Sequence, residues 1–166
     1  MKGWRRSARS VILAVAIFVV AQLVLLVGVG TPDKFYFDEV HYVPAARQML
    51  AAEPSAPLLN PMHPPLAKQL IALSIKGLGD NPLGWRYAGV LFGALAIVAV
   101  YLCGLALFGA HGPAVASSLI ALFNQMVFVQ SRIAMLDIFA AFFVGFRSPA
   151  SGADCSCLQP ASPSLP

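Results

Sequence analysis

The chain has 166 residues, of which 58% are hydrophobic and only 11% are charged. Soluble domains usually carry about a quarter charged residues, so this composition argues against a soluble domain and favours a membrane protein. The three cysteines are too few and too badly placed for a disulfide framework or a zinc site. The net charge of +4 does not indicate a nucleic-acid-binding surface, because the excess of basic residues is concentrated at the start of the chain.

Residues 11–30, VILAVAIFVVAQLVLLVGVG, form an uncharged run that matches a hydrocarbon core of about 30 Å. A cleaved signal peptide is the alternative, but the run exceeds the usual signal core and no A-x-A site ends it. We therefore predict a retained span. The basic residues before it (Lys2, Arg5, Arg6 and Arg9) place the N-terminus in the cytoplasm by the positive-inside rule.

Further spans are predicted at residues 88–108 and 114–130, joined by a tight cytoplasmic turn at 109–113. A last apolar stretch, 134–146, is too short to cross a membrane alone and is taken as an incomplete span. This alternation returns residues 130–137 to the extracytoplasmic side.

The segment 31–87 is predicted to be an extracytoplasmic loop that carries short helices at the membrane interface. VPAARQMLAA indicates one helix with Pro44 in its first turn, and a Pro-rich connector follows it. Residues 66–78 indicate a second helix, with Lys68 and Lys76 near one polar face that reaches headgroups or phosphates.

The first candidate site is the acid pair Asp38–Glu39 in KFYFDEVHY. A solvated loop is the simpler interpretation of two neighbouring acids. The aromatic residues on both sides can exclude water, however, and desolvation raises the pKa of a carboxylate and makes it a better base.

Three further positions carry candidate functional groups. His63 follows the Pro-rich connector and, with Glu39, is a weak candidate for binding a divalent metal. Arg132 can bind an anionic headgroup through several donors, or it can simply extend to the membrane surface. Asp137 lies farther into the last apolar stretch than Arg132, and there a carboxylate needs a basic partner or a hydrated cavity.

The order of these motifs carries more information than any one of them. An apolar span, FDEVHY, HPPLAK, GWR, two spans and RIAMLD follow one another, and this order resembles the N-terminal part of the protein O-mannosyltransferase family over residues 11–146. The resemblance implies an all-α, multi-span C-type glycosyltransferase membrane fold in the cell membrane. It also implies inverting transfer of mannose from a polyprenyl-phosphate donor to Ser/Thr hydroxyls of exported proteins.

The resemblance further implies roles for individual residues. Asp38 is the candidate catalytic base or acceptor-orienting carboxylate, and Glu39 supports it in the catalytic pair. No cofactor is implied with certainty, although a divalent metal on Glu39 and His63 is possible. The remaining residues line the site: Arg132, Lys68 and Asp137 toward the donor phosphate, and His63 and Arg86 in support.

Two other functions fit the same residues. One is a lipid-phosphate-dependent transferase with a lipid acceptor, similar to the aminoarabinose transferases. The other is a non-catalytic membrane interaction protein whose acidic loop is a docking surface.

Residues 147–166, RSPASGADCSCLQPASPSLP, depart from the resemblance. Their Pro-, Ser- and Ala-rich composition cannot complete the apolar stretch before them. We predict a tail unrelated to the family, left by truncation or a frameshift, and expect an incomplete copy without turnover of its own. A short regulatory tail is the alternative.

Overall fold

The computed structural model describes residues 8–51, 57 and 59–150. Every regular element in these residues is helical, which confirms the predicted all-α class. Most of the predicted tail, from residue 151 onward, lies outside them. The seven described helices are α1 (Ala8–Leu26), α2 (Glu39–Ala51), α3 (Pro65–Leu78), α4 (Pro82–Phe108), α5 (His111–Leu122), α6 (Gln125–Ser131) and α7 (Asp137–Ala150).

Helices α1 and α4 are long and apolar enough to cross a membrane, and α5 and α6 form a third candidate if they count as one bent span. This confirms the predicted multi-span membrane protein. Helix α4 is the centre of the described fold, because α1, α3, α5, α6 and α7 all pack against it. Its first residue is Pro82, so the helix begins six residues before the predicted span and includes the end of the predicted loop.

The predicted span 114–130 is not one continuous helix. Helices α5 and α6 meet at an angle of 65°. The side-chain oxygen of Asn124 accepts hydrogen bonds from the backbone N–H groups of Met126 and Val127, at 3.0 and 3.2 Å. Asn124 thus caps a new helix, as asparagine often does, and local hydrogen bonding overrides the apolar pattern that predicted continuity.

Small residues on α4 let the end of α6 approach closely. A Cβ atom added to Gly93 would lie 2.5 Å from the Ser131 Cβ atom, and one added to Gly89 would lie 3.0 Å from the Ile133 carbonyl oxygen. Gly89 and Gly93 are four residues apart, and small residues at this spacing allow helix backbones to pack closely in membranes. Glycine at these positions therefore brings residues 131–133 against α4.

The predicted loop contains two helices, as expected, but their details differ from the sequence pattern. Helix α2 begins at Glu39 because the Asp38 carbonyl accepts the N–H groups of His41 and Tyr42, so Pro44 lies inside the helix and not in its first turn. Helix α3 buries Lys68, which was predicted on a polar surface. The buried face of α3 consists of Ala67, Lys68, Ile71, Ala72 and Ile75.

One hydrophobic core joins α2, α3, α4 and the start of α7. It includes Val43 and Ile71, which are fully buried, and Ile138, which is 2% exposed. Helix α7 begins at Asp137, three residues after the start of the predicted stretch. The core therefore fixes the two helices of the loop against the ends of the membrane-spanning helices.

Candidate active site

Glu39, Arg86 and Arg132 meet in the region where α1 ends, α4 begins and α7 begins. The Arg86 Nη1 atom donates to the Val29 carbonyl at 2.9 Å, and the Ala134 N–H donates to Glu39 Oε1 at 3.0 Å. We call this part of the bundle the acidic end and define it by Asp38, Glu39 and Arg86. Segments that are far apart in the sequence thus lie together there.

A buried ion pair forms the centre of the acidic end. The Arg86 Nε atom donates to Glu39 Oε1 at 2.8 Å, and Arg86 Nη2 donates to Glu39 Oε2 at 2.9 Å. Glu39 is 0% exposed and Arg86 is 1% exposed. Such a two-pronged pair is among the stronger side-chain interactions and fixes orientation as well as distance.

The remaining donors and acceptors of this pair fix the backbone around it. Arg86 also donates to the carbonyls of Val29, Pro32 and Lys34, at 2.9 to 3.1 Å. The Tyr36 N–H donates to Glu39 Oε2 at 2.9 Å. The pair therefore fixes the position of the connecting segment between the end of α1 and Asp38.

These contacts change the role expected of Glu39. Each of its oxygens accepts two N–H donors, so the hydrogen-bonding capacity of the carboxylate is largely used. A metal on Glu39 would have to displace some of these donors. The described residues also contain no group of three or more His, Cys, Asp or Glu side chains placed to hold a metal.

Asp38 lies beside this network and keeps a partly exposed side chain. Burial raises the pKa of the Tyr42 hydroxyl, and the carboxylates of Asp38 and Asp137 raise it further. The charges of both carboxylates therefore reach the Tyr42 hydroxyl. Phe37, directly before Asp38, has a φ of +53°, an uncommon conformation for a bulky residue that redirects the backbone there.

His63 and Lys68 lie near the same part of the fold but differ in what they contact. The His63 ring packs edge-on against Tyr42 with 5.8 Å between the ring centroids. Lys68 is 3% exposed, and its Nζ atom donates to the Asn60 carbonyl. The predicted contact of Lys68 with a donor phosphate therefore needs its ammonium group to leave that carbonyl or share it.

Arg132 joins the ends of α1 and α6. Its Nη2 atom donates to the Val27 carbonyl, and its guanidinium lies 4.8 Å from the centre of the Phe128 ring. The Nε atom is buried and has no hydrogen-bond partner among the described residues. Arg132 and Arg86 both line a cavity of about 220 Å³, where they can supply positive charge to an anion.

Asp137 is exposed at the first position of α7, which suits a carboxylate because the N-terminus of a helix carries partial positive charge. Its Oδ2 atom accepts a hydrogen bond from Gln130 Nε2 at 3.3 Å. Asp137 therefore has an amide partner at an exposed position, and the basic partner that was one of the two expectations is not among its hydrogen-bond partners in the described residues.

A second polar cluster, formed by Arg47, Asp80 and Trp85, packs next to the acidic end and was not predicted from the sequence. Arg47 donates to Asp80 Oδ1 at 2.9 Å, and Trp85 Nε1 donates to the same oxygen at 2.6 Å. The Arg47 guanidinium lies 5.4 Å from the ring centres of both Phe35 and Trp85. Burial raises the pKa of Asp80, but the hydrogen bonds from Trp85 and Arg47 and the Arg47 charge lower it to below its usual value.

This cluster acts on the same backbone as the buried pair. Phe35 follows Lys34, whose carbonyl binds Arg86, and Trp85 directly precedes Arg86. The only sequence signal for it was the balance of acids and bases in the predicted loop, which cannot show which charges pair.

Comparisons with known proteins agree with the resemblance. The profile of a family described as Dolichyl-phosphate-mannose-protein mannosyltransferase matches residues 76–146. No solved structure matches the chain significantly.

Three similar proteins are each named Polyprenol-phosphate-mannose–protein mannosyltransferase. The protein of Corynebacterium glutamicum is 38% identical over 129 residues, which is 69% of this chain and 23% of the relative. That of Mycolicibacterium smegmatis is 33% identical over 145 residues, 86% of this chain and 27% of the relative. That of Mycobacterium tuberculosis is 31% identical over 147 residues, 87% of this chain and 27% of the relative. The chain thus spans about a quarter of the length of these relatives, and it belongs to the protein mannosyltransferase family.

Proposed function

We propose that this chain supplies part of the active site for transfer of mannose from a polyprenyl-phosphate donor to Ser/Thr hydroxyls of exported proteins. The names of the relatives support the donor and the protein acceptor. The observation that carries the proposal is the buried Glu39–Arg86 network, in which Glu39 directly follows Asp38 and accepts a hydrogen bond from the Ala134 N–H, three residues before Asp137. Arg132 lines a cavity together with Arg86.

In the proposed reaction, the acceptor hydroxyl oxygen attacks C1 of mannose and the bond from C1 to the phosphate oxygen breaks. The electron pair of that bond leaves with the polyprenyl phosphate, and the sugar inverts at C1. Asp38 accepts the hydroxyl proton as a general base. The phosphate is a good leaving group and needs mainly cationic stabilisation, which Arg132 provides.

The other residues act by position. Glu39 and Arg86 hold the backbone that carries Asp38 and do not themselves contact the sugar. His63 packs on the Tyr42 ring and so helps to fix the position of Tyr42, whose hydroxyl senses the Asp38 charge. Lys68 adds a second cation for the donor phosphate, and Asp137 orients the acceptor with Asp38.

We further propose a multi-pass protein of the cell membrane with a cytoplasmic N-terminus and an extracytoplasmic acidic end. The basic residues before α1 support this orientation, since positive charge is retained on the cytoplasmic side. Arg86, near the start of α4, binds the Val29 carbonyl just after α1, which supports an extracytoplasmic position for both helix ends.

A chimera tests the function. Residues 11–146 replace the matched segment of the Corynebacterium glutamicum relative, and membranes from cells that lack their own enzyme are supplied with polyprenyl-phosphate-mannose and a Ser/Thr-rich peptide. We expect mannose on the peptide. Transfer to lipid but not to peptide would contradict the protein acceptor. A chimera that binds the donor yet transfers to neither would contradict an enzymatic role for this segment.

A further inference from the structure

A cavity of about 590 Å³ lies next to the acidic end, between the residues before Asp38 and the break that separates α5 from α6. Several side chains that line it can form hydrogen bonds, and apolar side chains complete its walls. We call this cavity the amide groove. Its defining residues are Tyr36, Asn124, Gln125 and Gln130, with Phe37 and Met126 among the apolar ones.

The amide groove is lined by direct neighbours of both carboxylates of the proposed site. Phe37 lines the groove and directly precedes Asp38. Gln130 lines it as well, and its Nε2 atom donates to Asp137 Oδ2 at 3.3 Å. A molecule in the groove therefore contacts the residue that precedes Asp38 and the amide that binds Asp137.

The helix break makes this part of the fold suited to polar ligands. The 12 residues of α5 cover about 18 Å at 1.5 Å per residue, which is less than a hydrocarbon core of about 30 Å. If α5 and α6 form one span, the break at Asn124 lies at membrane depth. Non-helical backbone is tolerated there only against protein or a hydrated cavity.

A second cavity in the same chain has the apolar lining that a hydrocarbon ligand requires. It measures about 340 Å³ and lies between α1 and α4, where apolar side chains such as Val11, Phe18 and Leu102 line it and Ser10 is its polar lining residue. An isoprenoid chain suits those walls. In the amide groove, the same chain would leave side-chain amides facing hydrocarbon at a cost.

We propose that the amide groove binds an extended stretch of the acceptor polypeptide next to its reacting hydroxyl; this inference rests on the proposed function. Side-chain amides both donate and accept hydrogen bonds, so they match the alternating N–H and C=O groups of a peptide backbone. The flexible Met126 side chain and the Phe37 ring pack against varied apolar side chains. Recognition of backbone groups allows one site to bind peptides of different sequence.

Photo-crosslinking of the whole chain tests the occupant. Benzoylphenylalanine replaces Met126 in the groove or Ile120 on α5; the native side chains are similarly exposed, at 67% and 73%. The protein is placed in phosphatidylcholine vesicles with a labelled Ser/Thr-rich peptide. We expect peptide crosslinks from position 126 that excess unlabelled peptide removes, and none from position 120. Crosslinks from position 126 to lipid alone would overturn the proposal.

A matched pair of substitutions tests the hydrogen bonds. Gln125→Leu keeps the size of the side chain but removes its donors and acceptor, and we expect peptide binding to weaken about fivefold or more. Gln69→Leu, at an exposed position of α3, should leave binding unchanged. Equal binding by both variants would overturn the proposal.

The outcomes also separate this inference from the proposed function. Mannose transfer by the chimera, without peptide crosslinks from position 126, contradicts the groove alone. Peptide crosslinks from position 126 combined with donor binding but no transfer contradict the mannosyltransferase function and leave a peptide-binding groove.

Discussion

The Arg86 guanidinium and the Glu39 carboxylate form a buried, two-pronged ion pair between residues 47 positions apart in the sequence. The pair ties the start of α2 to the first turns of α4. Because its remaining donors and acceptors contact the backbone at Val29, Tyr36 and Ala134, it also ties in the end of α1 and the segment before α7. One interaction therefore sets the geometry of the whole acidic end.

Removal of one partner should be strongly destabilising. Arg86→Ala leaves the Glu39 carboxylate buried without its cation, which typically costs about 3–5 kcal/mol. We expect this loss in the free energy of unfolding, measured by tryptophan fluorescence in detergent micelles. Arg47→Ala is the control, because the Arg47–Asp80 pair is 40% and 48% exposed and exposed pairs contribute about 0–1 kcal/mol. Equal losses for both variants would contradict the central role of the buried pair.

Asp38→Asn should separate chemistry from donor binding. The amide keeps the shape of the side chain but cannot accept the hydroxyl proton, so single-turnover mannose transfer by the chimera should fall about 10²–10⁴-fold while donor binding persists. Asp33→Asn, at an exposed position of the same segment, is the control and should transfer normally. Near-normal transfer by Asp38→Asn would remove the base from this position.

Gly93→Ala should disturb the contact between α4 and the end of α6. The added methyl group would lie 2.5 Å from the Ser131 Cβ atom, and overpacking of this kind costs about 1–3 kcal/mol. We expect a lower unfolding midpoint that a second substitution, Ser131→Gly, partly restores. Gly112→Ala is the control, since its Cβ atom would meet no atom within 4 Å. A neutral Gly93→Ala variant would show that α6 is free to move away.

The Asp80 cluster predicts a defined pH dependence. Although burial opposes it, the hydrogen bonds from Trp85 and Arg47 hold the pKa of Asp80 below its unfolded value. Its contribution to stability is therefore complete above the unfolded pKa of about 3.9 and is lost as the pH falls through the lower folded value. Unfolding midpoints of the native protein and Asp80→Asn should differ at pH 7 and converge below about pH 4. A constant difference across this range would contradict the assignment.

The proposed orientation predicts a labelling pattern. In a background with Cys103, Cys155 and Cys157 changed to Ser, a cysteine at Met62, which is 90% exposed, should react with an impermeant maleimide added to intact cells. A cysteine at exposed Gly112, in the first turn of α5, should react only after permeabilisation. The reverse pattern would place the acidic end in the cytoplasm, away from exported proteins.

The sequence alone was enough to predict that this is a membrane protein and to place its long apolar helices approximately. The transfer free energy of a segment into a membrane is approximately a sum over its residues, so it can be estimated without knowledge of tertiary contacts. The absence or scarcity of charges in residues 11–30 and 88–108 therefore predicted long apolar helices. The order of short motifs, from FDEVHY to RIAMLD, was sufficient to indicate the family. Both signals are local or sequential, which is why they can be read before folding.

Only the tertiary structure decided which polar groups are partners. Residues 38 and 39 are adjacent acids in the sequence, yet Glu39 is fully buried against Arg86 while Asp38 stays partly exposed. Lys68 lies on the buried face of α3. Because apolar residues occur around most of this helix, the hydrophobic periodicity could not predict which face is buried. Pairing energies depend on distance and burial, and both arise from the packing of α2 on α3 and of α3 and α7 on α4, which no local pattern encodes.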